Sequence, residues 1–325
     1  MTELSQRSQK KTPSRTAFCL MSLFLLALFL KNSELAAKAI ASGLEVCAKT
    51  LLPSLFPFIV ASELLVESGI IHRVGRLLHR PFYSLFGIGG DAACAVLLGF
   101  VCGFPVGTKC ASSLCQNGTI GKKEFCRVLA FSNQPSSAFL IYTVGGAMFG
   151  SLRFGVALYL STLLSALLIQ LTLGLCQRKN SDRPNTQERP ALPSEARSFP
   201  DALAKAVSQS ALAMLSICAF VVFFSALGES LFYLADGLSL SPAASALLFG
   251  VFELTGGASH AALCSAAAAP VLCALAVGWG GLSIHFQLLH LVGSTPFSKR
   301  AYFLIKLAQG ALNAILLVPI HRALG

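Results

Sequence analysis

Seven apolar stretches recur along the chain, at residues 17–30, 50–71, 125–148, 154–176, 205–234, 270–292 and 301–320. Each approaches the roughly 20 residues that cross about 30 Å of hydrocarbon, so each predicts a spanning helix. The first follows a polar, basic segment, residues 1–16. It ends Leu-Phe-Leu-Lys rather than in small residues, which predicts an uncleaved span and not a removable leader. Residues 33–49 are Ala-rich and lead helically into the second span. Residues 177–200, with Pro, Asn, Ser, Arg and Glu and no apolar periodicity, read as a cytoplasmic linker. The organisation expected is therefore an N-terminal part (1–49), a first unit (50–176), the linker (177–200) and a second unit (201–325).

Two further stretches, 91–120 and 240–269, break the spanning pattern. Each holds about 30 residues and is interrupted in the middle, by Gly103-Phe-Pro-Val-Gly107 and by Thr255-Gly-Gly257. Thirty helical residues give about 45 Å, too little for two crossings, so each predicts a re-entrant hairpin whose tip lies near the midplane. Backbone opened at that depth has to line a cavity or be buried in protein.

The two units also lie over each other. Leu97-Leu-Gly-Phe-Val-Cys-Gly-Phe-Pro-Val-Gly107 aligns with Leu247-Leu-Phe-Gly-Val-Phe-Glu-Leu-Thr-Gly-Gly257. Leu129-Ala-Phe-Ser-Asn-Gln-Pro-Ser-Ser137 aligns with Leu275-Ala-Val-Gly-Trp-Gly-Gly-Leu-Ser283. The loops flanking the first hairpin carry Arg73, Arg76 and Arg80, then Lys122, Lys123 and Arg127. Their counterparts at 235–241 and 265–269 carry no Lys or Arg. Positive charge favours the cytoplasmic side, so equivalent loops face opposite sides and the repeat is inverted. With the N-terminus inside, seven crossings and two hairpins put the basic segments at 1–16, 72–80, 122–127, 177–200 and 298–300 all in the cytoplasm. The predicted fold is an all-α polytopic membrane protein with broken helices at the midplane.

Composition agrees. Of 325 residues, 54% are hydrophobic and 12% charged, with a mean hydropathy of +0.70. Soluble domains carry about 25% charge. A cytosolic enzyme, a disordered chain and a nucleic-acid-binding module are excluded, and the net charge of +11 reads as loop charge that sets topology. The eleven cysteines are odd in number, form no CxxC and mostly sit in apolar runs, where Cys is a small hydrophobe. No metal, cofactor or disulfide framework is expected, and no catalytic or nucleotide-binding motif occurs.

The chemistry then concentrates at the breaks. Gly103, Pro105 and Gly107 open a helix just before Lys109, which either receives a carboxylate or phosphate or reaches out to the interface. Asn133, Gln134, Ser136 and Ser137 surround Pro135 and exceed what one broken turn needs. Glu253 precedes Thr255 and Gly256 deep in an apolar run, and an intramembrane carboxylate is a functional candidate by default. Its structural alternative is a neutral acid bonded to an open carbonyl. Ser283 and His285 follow the Gly280-Gly281 break, with Gln287 beyond and Trp279 before it. These residues are the candidate solute-binding set, and any driving force would come from an ion, proton or solute gradient.

At these residues the chain resembles a known family. The stretches Leu55-Phe-Pro-Phe-Ile-Val-Ala-Ser-Glu-Leu-Leu65, Gly103–Lys109, Phe131–Ser137, Thr143–Gly150, Phe252–Gly256 and Gly280–Gln287 are similar, in order, to the sporulation integral membrane protein family YlbJ. That family lies within the nucleoside-recognition (Gate) group. The resemblance implies a role late in endospore formation, the movement of dipicolinic acid towards the forespore, and a fold like that of concentrative nucleoside transporters. It places the protein in the bacterial cell membrane, at the outer forespore membrane of a sporulating host. The partners implied are a small dicarboxylate or nucleoside-like solute and the lipid bilayer, not nucleic acid, and self-association stays open. Alternative readings are a nucleoside or nucleobase transporter and a non-transporting sporulation membrane protein.

Overall fold

The computed structural model describes residues 15–178, 198–236, 240–293, 295 and 297–324. The basic segment before residue 15, the core of the linker at 179–197 and the centre of the 235–241 loop lie outside the described residues.

Everything regular among the described residues is helical. In order these are α1 (Arg15–Lys31), α2 (Ser33–Val46), a π-helical turn (Cys47–Leu51), α3 (Leu52–Glu67), α4 (Ile70–Phe86), α5 (Gly90–Cys102), α6 (Val106–Gln116) and α7 (Lys122–Ser132). A π-helical segment (Phe139–Met148), α8 (Leu152–Arg178) and α9 (Phe199–Asp236) follow. Then come α10 (Pro242–Phe252), α11 (Leu254–Ala262), α12 (Ala268–Trp279), α13 (Gly281–Val292) and α14 (Lys299–Leu324).

Four helical stretches are long and apolar enough to cross a bilayer alone: Leu152–Leu175, Phe199–Leu234, Ala268–Val292 and Lys299–Leu324. Two further helix pairs reach that length only when taken together across a sharp bend. Thr16–Lys31 meets Ser33–Lys49 at 92°, and Leu55–Leu65 meets Ile70–Phe86 at 87°. The chain is thus a multi-pass helical membrane protein with, among the described residues, four such spans, or six if each bent pair is one span, where hydropathy predicts seven. The difference has a local cause. The expected 125–148 span is two short pieces, α7 and the π-helical segment, separated by non-helical backbone at 133–136.

Residues 72–80, expected as a loop, are instead the middle of α4. Ile71, Gly75, Leu78, Phe82 and Phe86 recur every three or four residues, and this face packs on the core while the arginines stay exposed. The core has two main parts. One is built on α4–α7, where Phe131 packs edge-on against Phe86 and Phe100 at 5.4 and 5.2 Å between ring centroids. The other joins the π-helical segment and α8 to α10–α12 and α14. Ile284 of α13 packs against both.

The two expected hairpins are present as antiparallel pairs, α5 with α6 and α10 with α11. Glycine allows each pair to touch backbone to backbone. A Cβ on Gly107 would stand 2.7 Å from Gly99 Cα, and one on Gly257 would stand 2.8 Å from the Gly250 nitrogen. Small residues are what let apolar helices approach this closely without a side-chain layer between them.

Candidate solute-binding site

Each hairpin breaks against the break of a neighbouring helix. In the first crossing, α5 stops at Cys102 and the chain turns through Gly103 at φ +80°. The Phe104 N–H donates to the Gln134 carbonyl at 2.7 Å, tying this turn to the open backbone between α7 and the π-helical segment. A side chain on Gly103 would meet the Ser136 backbone at 2.5–2.7 Å, so glycine alone fits. In the second crossing, Glu253 adopts an extended conformation between α10 and α11. Gly281, at φ +79°, lies against it, and a Cβ there would be 3.0 Å from the Leu254 nitrogen and 3.1 Å from Glu253 Cα.

Between the two crossings lies a cavity of about 430 Å³. The first crossing contributes Phe104, Pro135 and Ser136, and the second contributes Glu253, Thr255, Ser283, Ile284 and Gln287. Phe139, Tyr142, Ile217 and Val221 complete apolar walls, and Lys49, at the end of the bent first pair, is on the lining. Glu253 is 7% exposed, and its Oε2 accepts from the Gly256 N–H at 2.7 Å, capping α11. Gln287 donates to Ser283 Oγ at 3.0 Å, leaving its own carbonyl oxygen available. Glu253 and Thr255 also border a second cavity of about 160 Å³, lined by Ser42, Ser225, Glu229, Ser259 and His260. His260 stacks on Phe249, with ring centroids 3.9 Å apart, and bonds the Gly256 carbonyl at 2.9 Å.

Of the candidate residues, Ser136, Glu253, Thr255 and Ser283 thus share the main cavity, and Gly256 borders the smaller one. Gly103, Pro105 and Gly107 are buried in the first crossing and its hairpin, shaping it without lining the cavity. Ser137 is half-buried beside it. Lys109 is off the lining. Its ammonium lies 2.8 Å from a carboxylate oxygen of Glu63 on α3.

Asn133, Gln134 and His285 turn away into a buried polar network on α14. Asn133 donates to the Tyr302 hydroxyl at 2.5 Å, which also meets His285 Nδ1 at 3.0 Å. Lys306, 1% exposed, donates to the open carbonyl of Asn133 at 3.0 Å and to Gln309 Oε1 at 2.7 Å. Gln309 in turn donates to Gln134 Oε1 at 2.6 Å. One turn on, Asn313 donates to the Ala274 carbonyl at 2.9 Å and accepts from Ser161 at 2.7 Å. This network supplies the partners that open backbone needs away from water.

Sequence reasoning missed Lys306, Gln309 and Asn313, although a signal was present. Tyr302, Lys306, Gln309 and Asn313 fall at intervals of four, three and four, the stripe of one helix face. Lys49 was also missed. Among the described residues, no group of three or more His, Cys, Asp or Glu is placed to hold a metal ion.

No family model matches the chain, and no solved structure does. The chain is nevertheless 26% identical over 335 aligned positions, covering 93% of its own length and 81% of its counterpart, to a protein of Bacillus subtilis (strain 168). That distant relative, similar to the chain over nearly all its length, is the sporulation integral membrane protein YlbJ.

Proposed function

We propose that this chain is a secondary-type transporter that passes a small, planar, polar solute through the cavity between two crossed helix breaks, and that its two units form an inverted repeat. One observation carries the reading: polar side chains from the breaks of both units converge on a single cavity. Matching positions support the repeat. With Leu97 laid over Leu247, the hairpin helices end in register at Cys102 and Phe252. The positive charge of α4 and α7 around the first hairpin, with no Lys or Arg at 235–241 and 265–269 around the second, supports its inverted sense, with the N-terminus cytoplasmic. The volume of about 430 Å³ is in the range of small-molecule sites, roughly 300–1,000 Å³, and such sites pair apolar walls with a few polar groups.

By similarity to the sporulation protein, the solute put forward is dipicolinate, moved across the cell membrane or the outer forespore membrane of a sporulating host. Phe104, Phe139 and Ile284 offer flat apolar surface to a pyridine ring. The hydroxyls of Ser136, Thr255 and Ser283 offer donors to its carboxylates, and Lys49, now 2.6 Å from Glu45 on the exposed rim, would have to exchange that partner for the solute. A nucleoside-like solute is the second reading. It is favoured by Glu253, an acceptor for ribose hydroxyls or base amines, and by the pairing of Lys109 with Glu63, which leaves that cation committed elsewhere.

Uptake of radiolabelled dipicolinate and of uridine into proteoliposomes holding the full chain separates these readings. Saturable dipicolinate uptake that excess uridine leaves unchanged is the expected result. Uridine uptake blocked by neither carboxylate nor salt would favour the nucleoside. Uptake of neither solute above protein-free vesicles would remove both substrates.

A further inference from the structure

We infer that α4 is an interfacial helix that binds anionic phospholipid headgroups through Arg73, Arg76 and Arg80, and so anchors the base of the first hairpin to the membrane surface. The inference rests on the chain spanning a bilayer and not on which solute it carries.

Three faces of α4 have separate fates. Ile71, Gly75, Leu78, Phe82 and Phe86 pack inward. A neighbouring stripe, Ile70, Val74, Leu77 and Leu85, is apolar yet exposed, with Leu77 at 80%. The third stripe carries the three arginines, all exposed and spaced by three and four residues. No carboxylate among the described residues pairs with them. A helix with an exposed apolar stripe beside a basic one suits the boundary between acyl chains and headgroups. Its orientation fits, because Ile70–Phe86 lies at 87° to the apolar stretch Leu55–Leu65 before it. With α3 directed into the bilayer, a helix nearly perpendicular to it runs along the surface. There, Leu77 and its neighbours enter the apolar layer while the guanidinium groups meet phosphates, which their planar forks bind in bidentate fashion.

What α4 holds is the start of the first hairpin. His72 Nδ1 lies 3.0 Å from Asp91 at the first turn of α5. The Gly75 backbone touches the Gly90 backbone so closely that neither could carry a side chain. At the other end, Arg127 of α7 donates to the carbonyls of Phe86 and Gly87. Headgroups gripping α4 therefore steady α5 and, through it, the turn at Gly103.

The test uses the purified full chain in lipid nanodiscs, with phosphatidylglycerol and phosphatidylcholine as the probes. Spin-labelled lipids give the association of each with the protein surface. A basic residue near an anionic surface contributes about fivefold in affinity, so the triple variant Arg73→Gln/Arg76→Gln/Arg80→Gln should lose most of a phosphatidylglycerol preference of up to roughly 100-fold. Lys122→Gln/Lys123→Gln, removing two other exposed cations, should lose far less. The triple Arg→Lys variant, which keeps charge but not the fork, should fall between, and it guards against a triple Gln variant that does not fold. A Leu77→Trp chain should show added fluorescence that shallow-brominated phosphatidylglycerol quenches. An unchanged lipid preference in the triple Gln variant, or a Leu77→Trp signal that brominated lipid leaves untouched, would overturn the inference. None of these readouts depends on transport.

Discussion

Glu253 has two duties in this structure, and replacing it in two ways separates them. Its Oε2 caps α11 through the Gly256 N–H at 2.7 Å, and the same carboxylate borders both cavities. In Glu253→Ala the cap is lost and a partly buried N–H is left unpaired, a cost of about 1 kcal/mol. That should lower the melting temperature of the purified protein by roughly a degree or two. Glu253→Gln keeps a carbonyl oxygen at the same reach, so its stability should stay close to that of wild type. Solute binding should respond differently. A charge-assisted hydrogen bond contributes about 1.5–3 kcal/mol, so a solute that donates to Glu253 should bind Glu253→Gln roughly 10- to 150-fold more weakly. A carboxyl that gains and loses a proton during the cycle would also make net transport pH-dependent in wild type and flat in Glu253→Gln. Thermal melts, equilibrium binding and a pH profile of proteoliposome uptake read these effects separately. If Glu253→Gln binds and transports like wild type at every pH, the carboxylate serves only as a cap and proton coupling through it is refuted. If Glu253→Ala also melts like wild type, the capping argument fails as well.

Other expectations follow from particular contacts. Gly107→Ala would push a methyl to within 2.7 Å of Gly99 Cα and 2.8 Å of Ser132 Cβ, so it should destabilise by about 1–3 kcal/mol; an unchanged melt would contradict the packing. Lys109→Met and Glu63→Gln should each destabilise by about 3 kcal/mol while the double variant recovers much of the loss, because either single change strands a buried charge. A Lys109→Met chain with a normal melt but selectively lost dicarboxylate uptake would return Lys109 to the solute site. Reporter tags inserted within 179–197 and at 237–239 should be accessible from opposite sides of the membrane; labelling of both from one side would end the inverted repeat.

The breaks were legible because glycine and proline interrupt apolar runs at 103–107, 133–137, 253–257 and 280–281, and there is no other cheap way to read such residues inside a span. Which break touches which was not legible. The meeting of Gly103 with Ser136 and of Gly281 with Glu253 is set by tertiary packing, and so is the distant Glu63 that takes Lys109. The polar stripe on α14 escaped because its average hydropathy still reads as a span; the periodicity of its four polar residues held the information. α4 was misread for the opposite reason, since its charge outweighed a regular apolar face.

The backbone contact inside each hairpin bears on how the cavity changes shape. With Gly99 against Gly107 and Gly250 against Gly257, no flexible side chain lies between the arms to absorb bending, so each hairpin behaves as a stiff wedge. Any opening of the cavity then comes from swinging a whole wedge about its ends, a collective movement on the microsecond-to-millisecond scale and not local loop fluctuation. For the first wedge the pivot is at the α6 end, where Gly118 sits at positive φ, while the α5 end is held at Gly87 by Arg127. Amide exchange should accordingly be slow throughout α5 and α6 and fast at 117–121, and uniform exchange across both would mean that the hairpin flexes instead of tilting.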